Sequence, residues 1–187
     1  LDKQTGKVEW QHALEKGEEC NAVALTKKGE ILYSYKRGAK LVTWDHQVVW
    51  DYKTPDKTEL QSATLLQNGG VLLGICGIPA QFIELDKKGK EVNKVTLNLE
   101  VERPHSQFRQ IFQLRNSNYL IPVMAKQKVL EVSRKGKIIA EHQIEGKAFS
   151  SLELPNGNLL LPCGDNHYYI VIDRKTGKEL KRVNALD

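Results

Sequence analysis

The sequence predicts an all-β fold, a β-propeller of four-stranded antiparallel blades, because two series of turns recur with one shared period. In the first series a tight turn opens on an acidic residue or serine and ends near a Gly-Lys pair, with a degenerate copy at Asp45, and the copies start at Asp2, Asp45, Asp86, Ser133 and Asp173. The second series starts at Lys27, Gln67, Arg115 and Pro155. Steps in the first series range from 40 residues (Ser133 to Asp173) to 47 (Asp86 to Ser133). Such a period is typical of propeller blades.

Each repeat is predicted to contain four short strands, which are clearest in the first complete repeat. They are NAVAL (21–25), EILYSY (30–35), KLVTW (40–44) and QVVWDY (47–52). Asn-Gly and Gly-Lys pairs between such runs supply the positive φ angles that tight hairpins require. The same pattern fits 62–97, 107–144 and 149–183, and no segment keeps a helical spacing of apolar residues for long enough to predict a helix.

The repeats divide the chain into blades of a single propeller domain that covers 1–187. Four blades are complete, and the opening segment matches only the outer two strands of another. The predicted bounds are 1–14 for the partial blade and 18–57, 60–102, 105–145 and 147–187 for the others. Blades of this size commonly assemble in sixes to eights, so we expect the domain to be incomplete and its parent to be six-bladed.

Composition and charge exclude several classes of protein. The formal net charge is +5, from 28 Lys and Arg against 23 Asp and Glu, and much of the excess lies in turns such as those around Lys88 and Lys135. These turns are either solvated or form an anion-binding patch, and they lack the interleaved aromatic residues of a nucleic-acid-binding surface. No apolar run reaches 18 residues, so no membrane span is expected.

The cysteines and histidines predict neither a disulfide framework nor a metal site. Cys20, Cys76 and Cys163 are odd in number and widely spaced, and we expect buried free thiols. The five histidines are scattered along the chain, so no metal is expected. No cofactor is expected either, for the reason given with the family resemblance below.

Two sets of motifs carry a family resemblance. LDKQTGKVEW (1–10) resembles the quinoprotein (PQQ) repeat, in which an Asp opens the turn and a Trp packs between blades. The whole chain resembles uncharacterised, secreted, Bacteroides-type six-bladed propellers, particularly in EECNAVA (18–24), RPHSQFRQ (103–110) and PCGDNHYYI (162–170). This resemblance implies a periplasmic, extracellular or cell-surface location and brings no established activity. Quinone-dependent dehydrogenases place two adjacent cysteines against the cofactor, and the absence of such a pair here argues against bound PQQ.

A more distant resemblance, in LPNGNLLL (154–161) and RPHSQFRQIF (103–112), is to the arylsulfotransferase propellers. Those enzymes use a channel-facing histidine as the nucleophile, with cationic and hydrogen-bonding neighbours. The resemblance implies that His105 or His167, together with Arg109, would act if the chain were a transferase.

Equivalent positions of the blades predict a ligand site at the central channel. Counting seven residues back from Lys28, Asn68, Asn116 and Asn156 in the second turn series gives Asn21, Gln61, Arg109 and Phe149. Three of these four are polar, and polar side chains that converge on an axis form a plausible ligand-binding mouth. The loops after the second strand add a comparable series, with Lys36, Arg37 and Lys126 as a cationic rim and Cys76, Asp165 and His167 as further ligand-binding candidates.

The sequence therefore predicts a non-enzymatic binding scaffold that recognises a small polar or anionic ligand, or a protein partner, at the channel face. The alternative is an arylsulfotransferase-like or other transferase or hydrolase that uses His105 or His167 with Arg109. A third possibility, an interaction module, predicts an apolar patch on the outer rim. The oligomeric state and the ligand are left open.

Overall fold

The computed structural model describes residues 1–185 and folds them into four antiparallel sheets of four strands each, so the predicted propeller of four-stranded blades is confirmed. Within each sheet the strands pair in sequence order, and we number the blades 1 to 4 along the chain. The three short helices in this range are 3₁₀ turns, Pro104–Ser106, Met124–Lys126 and Gly164–Asn166. No helix in residues 1–185 is long and apolar enough to cross a membrane.

Blades 1 and 2 have four full strands each. In blade 1 these are β1 Cys20–Leu25, β2 Ile31–Tyr35, β3 Gly38–Val42 and β4 Val48–Lys53. In blade 2 they are β5 Glu59–Leu65, β6 Val71–Cys76, β7 Ala80–Leu85 and β8 Glu91–Leu97.

Blades 3 and 4 keep the same order with much shorter first strands. Blade 3 contains β9 Phe112–Gln113, β10 Tyr119–Val123, β11 Lys128–Val132 and β12 Ile138–Gln143. Blade 4 contains β13 Leu152–Glu153, β14 Leu159–Cys163, β15 Tyr168–Ile172 and β16 Glu179–Asn184. The last two residues of the predicted fourth blade, 186–187, lie outside the described residues.

The position of a strand within its blade determines which faces it buries. Every residue of β2 and of β6 is buried. β6 packs between blades 1 and 3, whereas β2 packs against blade 2 on one face and against Trp10 and Leu14 of the opening segment on the other. The fourth strands β4 and β12 are mostly exposed and bury or half-bury only scattered side chains. The apolar core therefore lies between blades, as separate clusters that join blades 1 and 2, 2 and 3, and 3 and 4.

Ion pairs of buried carboxylates with arginines also join neighbouring blades. Glu84 of β7 is 1% exposed and accepts hydrogen bonds from Arg134 Nε at 2.9 Å and Tyr119 Oη at 2.8 Å, both in blade 3. One blade further on, Glu131 of β11 accepts from Arg174 Nε of blade 4 at 2.9 Å. Blade 1 has Leu41 at the equivalent bulged position of its third strand, so an apolar side chain takes the place of the carboxylate there.

The predicted partial blade, 1–14, does not form two strands. Its turn closes as in blade 4, with Asp2 N donating to Lys7 O at 2.9 Å, but no part of the segment is paired as a strand. It packs instead on blade 1, where Trp10 Nε1 donates to Trp44 O at 2.9 Å. The segment has no neighbouring strand in residues 1–185 with which to form a ladder, which explains the difference.

Candidate functional site

A cavity of about 510 Å³ lies where the first strands of the four blades begin, at the mouth of the central channel. We call it the channel-mouth cavity, and it is lined by residues from all four blades: Glu19, Cys20, Asn21, Gln61, His105, Arg109, Gln110, Phe149 and Ser150. Since the blades share one orientation, their equivalent residues meet around a common axis. A small ligand in this cavity would contact several blades at once.

The structure brings together all four positions that the repeat alignment selects. Asn21, Gln61, Arg109 and Phe149 all line the channel-mouth cavity. Asn21 Nδ2 donates to Leu60 O at 2.7 Å, which ties blade 1 to blade 2 and fixes the amide at the rim. The repeat spacing therefore predicts the place of these side chains.

A chain of hydrogen bonds crosses the cavity wall from Glu59 to Arg109. His105 Nδ1 lies 2.8 Å from Glu59 Oε2, and Arg109 Nη2 lies 3.0 Å from His105 Nε2. Because a guanidinium can only donate, Nε2 must accept, and Nδ1–H must donate to the carboxylate. This arrangement assigns a neutral imidazole with its Nε2 lone pair directed to the cation.

Glu59 is held as a carboxylate by its neighbours. Burial would raise its pKa, but hydrogen bonds from His105 and Lys36 outweigh burial and hold the pKa below its usual range. Lys36 Nζ lies 3.3 Å from Oε1, and Gln61 Nε2 donates to Oε2 at 3.2 Å. The ionised carboxylate fixes the imidazole tautomer and places it where a bound group could replace Arg109 as the partner of Nε2.

Arg109 is anchored by its own backbone surroundings. Its Nη1 donates to His105 O at 2.6 Å and to Phe108 O at 3.2 Å, while the side chain stays half-buried. Two carbonyls and one imidazole thus hold the guanidinium in place beside the cavity. A ligand that binds it would cause little further loss of side-chain entropy. The arrangement can bind a carboxylate or sulfate through the remaining donors.

Three predicted ligand-binding residues do not line this cavity. Cys76 is fully buried at the end of β6, with its sulfur 3.7 Å from Phe108 O, and burial raises its pKa to about 12. Asp165 is exposed and pairs with Lys147 Nζ at 3.2 Å. His167 is exposed, with a left-handed φ of 56° at the end of the 3₁₀ turn 164–166. In this structure a ligand in the channel-mouth cavity would not touch any of the three.

The expectation of three buried thiols is wrong for Cys20, which is exposed, whereas Cys76 and Cys163 are buried. The polar residues that the repeat alignment misses include Glu19, Gln110 and Ser150, which line the cavity, and Glu59, which bonds His105. Glu59 stands two residues before Gln61 in β5, so its position relative to a selected residue was the available signal. Gln110 directly follows Arg109.

The predicted cationic rim is largely paired with acids. Arg37 lies 3.4 Å from Asp56, and Lys126 lies 4.0 Å from Glu100. Among residues 1–185 no group of three or more His, Cys, Asp and Glu side chains is placed to hold a metal ion.

A second cavity, of about 490 Å³, lies between blades 1 and 2 at the opposite end of the strands. Its wall is mainly apolar and includes Leu41, Trp50 and Leu65, with lysines of the turns at its edge. It involves only two blades and no histidine, so the channel-mouth cavity is the better candidate for recognition or chemistry.

Comparison with known proteins relates the whole chain to one family. A family model described as Mal s 1 allergenic protein-like matches residues 1–186. No curated protein matches the sequence. The match to this family model does not confirm the quinoprotein-repeat assignment.

Solved structures of other proteins show the same fold. A crystal structure of a protein of unknown function from Bacteroides caccae is 40% identical, with a TM-score of 0.94, over 100% of this chain and 68% of that one. A catalytically inactive virginiamycin B lyase from Staphylococcus aureus, solved with quinupristin, is 15% identical with a TM-score of 0.72. The chain aligns over 93% of its own length and 58% of the lyase. At this identity the lyase shows the fold alone.

Proposed function

This chain belongs to the Mal s 1 allergenic protein-like family, and we propose that it is a binding scaffold whose channel mouth recognises a small polar or anionic ligand. The observation that carries the proposal is the convergence of Asn21, Gln61, Arg109 and Phe149 on one cavity. These side chains come from four blades, and no strand pairing requires that three of them be polar.

The chemistry of the cavity favours a compact ligand with an acidic group and several hydroxyls. Arg109 supplies the cation, the amides of Gln61 and Gln110 supply donors and acceptors, and Phe149 supplies an aromatic ring against which a sugar ring could pack. Acidic monosaccharides, such as uronic acids and sulfated sugars, combine these features.

The proposal is tested by screening acidic and neutral monosaccharides for an increase in Tm, followed by calorimetry on any hit. We expect an acidic sugar to bind and Arg109→Ala to weaken it at least tenfold, because the fixed cation is lost. Arg103→Ala, an exposed arginine outside the cavity wall, is the matched control and should bind as the wild type does. Wild-type affinity in Arg109→Ala would refute the proposed role of the cavity.

A second candidate, a transferase or hydrolase, is favoured by the Glu59–His105–Arg109 chain. A carboxylate that orients a neutral imidazole, with a cation beside it, can support nucleophilic or general-base catalysis. In a sulfuryl transfer, Nε2 would attack sulfur while the phenolate leaves with the electrons of the broken S–O bond, and Arg109 would stabilise the developing negative charge. Of the two histidines predicted for this role, His105 lines the cavity and His167 does not, which supports His105 as the nucleophile of this candidate.

Release of 4-nitrophenol from 4-nitrophenyl sulfate tests this candidate. If it is correct, the protein gains the mass of one SO₃ group, and His105→Gln abolishes both the gain and the release while His167→Gln retains them. Absence of release by the wild-type protein would rule out this transferase activity.

Export to the periplasm or cell surface is also part of the proposal, and it rests on resemblance alone. Fractionation of cells that express the gene, with detection of the protein in the periplasmic or surface fraction, would support it. Detection in the cytoplasm alone would contradict it.

A further inference from the structure

The turns between the third and fourth strands of blades 2, 3 and 4 concentrate positive charge. We call these turns, 86–90, 133–137 and 173–178, the lysine corners. Their sixteen residues contain nine Lys or Arg and two Asp, a net charge of +7, whereas the whole chain carries +5. The rest of the chain is therefore slightly negative, and the excess charge belongs to this one feature.

Arginines and lysines of the corners have different partners. Arg134 and Arg174 are bound to the buried carboxylates of Glu84 and Glu131. The corner lysines are all exposed, and within residues 1–185 none of them has an acidic partner within 4.0 Å: Lys87, Lys88, Lys90, Lys135, Lys137, Lys175 and Lys178. The arginines stabilise the fold, and the lysines remain free for an external anion.

The acidic residues of the corners face their own turns. Asp86 Oδ1 accepts hydrogen bonds from Lys88 N at 2.8 Å and Lys90 N at 2.9 Å. Asp173 Oδ1 accepts from Thr176 N at 2.8 Å and Lys175 N at 3.0 Å. These bonds hold the carboxylates against the backbone, so the lysine ammonium groups are the outermost charges of each corner.

The corners lie in a row on the end of the propeller opposite the channel mouth. In an antiparallel meander the turn after the third strand is at the same end as the turn after the first, and the connections into each first strand are at the other end. The cavity between blades 1 and 2 shows this arrangement, since first-strand turns at Lys28 and Asn68 line it together with Lys87. Successive blades therefore present successive lysine groups along an arc.

We propose that the lysine corners bind a linear anionic polysaccharide that runs along this arc. Lysine is a monodentate point charge suited to carboxylates or sulfates spaced along a chain. The corners contain no aromatic residue to stack on bases, and none of the exposed large hydrophobic side chains of residues 1–185 lies in them to insert into a membrane. The partner is recognised by repeating charge, independently of the ligand at the channel mouth.

Calorimetric titration with heparin and with polygalacturonate, in 50 and 300 mM NaCl, tests the proposal. We expect binding of at least one polymer that weakens steeply with salt. Lys135→Glu with Lys137→Glu should weaken it about tenfold or more and reduce the salt dependence. The control, Lys16→Glu with Lys57→Glu, changes two exposed lysines outside the corners. Like the corner variant, it lowers the formal net charge from +5 to +1. It should stay within about threefold of wild type, because its charges lie far from the row.

Equal losses in the corner and control variants would overturn the proposal, because net charge alone would then explain the binding. Absence of binding to either polymer at 50 mM NaCl would also overturn it. Tighter binding to phosphatidylserine vesicles or to single-stranded DNA would replace the polysaccharide with another partner. If the blade 3 variant does not fold, Lys175→Glu with Lys178→Glu in blade 4 makes the same test.

Discussion

Neutralising Glu131 should loosen the joint between blades 3 and 4. This carboxylate is 6% exposed and accepts hydrogen bonds from Arg174 Nε at 2.9 Å, Arg174 Nη2 at 2.8 Å and Asn116 Nδ2 at 2.9 Å. Asn118 Nδ2 is a further donor. Glu131→Gln keeps the size of the side chain and removes one of the two charges that Arg174 pairs with, the other being Glu153 at 3.1 Å.

The magnitude follows from the pKa of Glu131. Burial would raise this pKa, but the bonds from Arg174, Asn116 and Asn118 outweigh burial and lower it from its ordinary 4.5 to about 2. Such a difference contributes about 3 kcal/mol to the free energy of unfolding at neutral pH. Because the folded-state pKa is the lower one, the contribution is present above pH 4.5 and is lost as the pH falls toward 2. At pH 2.5 it should be below about 1 kcal/mol.

Urea unfolding of the wild type and of Glu131→Gln at pH 7 and pH 2.5 measures the contribution of the Glu131 charge to the free energy of unfolding at each pH. We expect the variant to be less stable by about 3 kcal/mol at pH 7 and nearly equal to the wild type at pH 2.5. Glu141→Gln, which removes an exposed carboxylate 3.1 Å from Lys128, is the control and should change stability by less than about 0.5 kcal/mol. An equal cost of Glu131→Gln at both pH values would show that the charge of Glu131 does not stabilise this joint.

Three further predictions concern packing and reactivity. Gln107→Ala should lower the free energy of unfolding by roughly 3 kcal/mol, because the buried Gln107 amide accepts from Gly77 N at 3.0 Å and donates to Gly77 O at 2.7 Å. In the same denaturation assay, the substitution Gln47→Ala at an exposed position should leave the free energy of unfolding unchanged. Gly89→Ala should lower the free energy of unfolding by about 2 kcal/mol more than Gly157→Ala. Both glycines have positive φ, but of the two only Gly89 has a neighbour that an added Cβ would meet, Trp50 Cβ at 2.7 Å. Equal losses of stability in the two variants would contradict this account. The folded protein at pH 8 should react with a thiol reagent at Cys20 alone, because Cys20 is exposed while burial raises the pKa of Cys76 to about 12 and that of Cys163 to about 11. Mass spectrometry that finds Cys76 or Cys163 modified in the folded protein would disprove this.

The fold is predictable from the sequence because the turns that define each blade are local. A turn such as 86–90 closes with its own aspartate and glycine, so its signature survives in the sequence whatever packs against it. The lengths of β9 and β13 are not predictable in this way. Each is only two residues long, because the segments before them follow the channel wall and bond elsewhere, as when Gln110 N donates to Phe149 O at 3.0 Å.

The site is predictable where it depends on equivalence between blades. Asn21 and Arg109 can be located by counting from a turn, because every blade repeats the same path to the axis. The pairing of Glu59 with His105 joins residues 46 apart in different blades, and no local pattern encodes it. Cys76 illustrates the opposite error, since it ends an unbroken apolar strand, VLLGIC, and that continuity indicated burial rather than a ligand site.

The two kinds of joint between blades should respond differently to temperature. Blades 1 and 2 meet through an apolar cluster that includes Leu41 and Trp50, whereas blades 2 and 3 have the ion pair of Glu84 with Arg134 in addition to an apolar cluster of their own. Hydrophobic contacts weaken on cooling, whereas the cost of desolvating paired charges falls on heating. Both apolar clusters should therefore weaken on cooling, and the ion pair should contribute a growing share of the contact between blades 2 and 3 as the temperature rises.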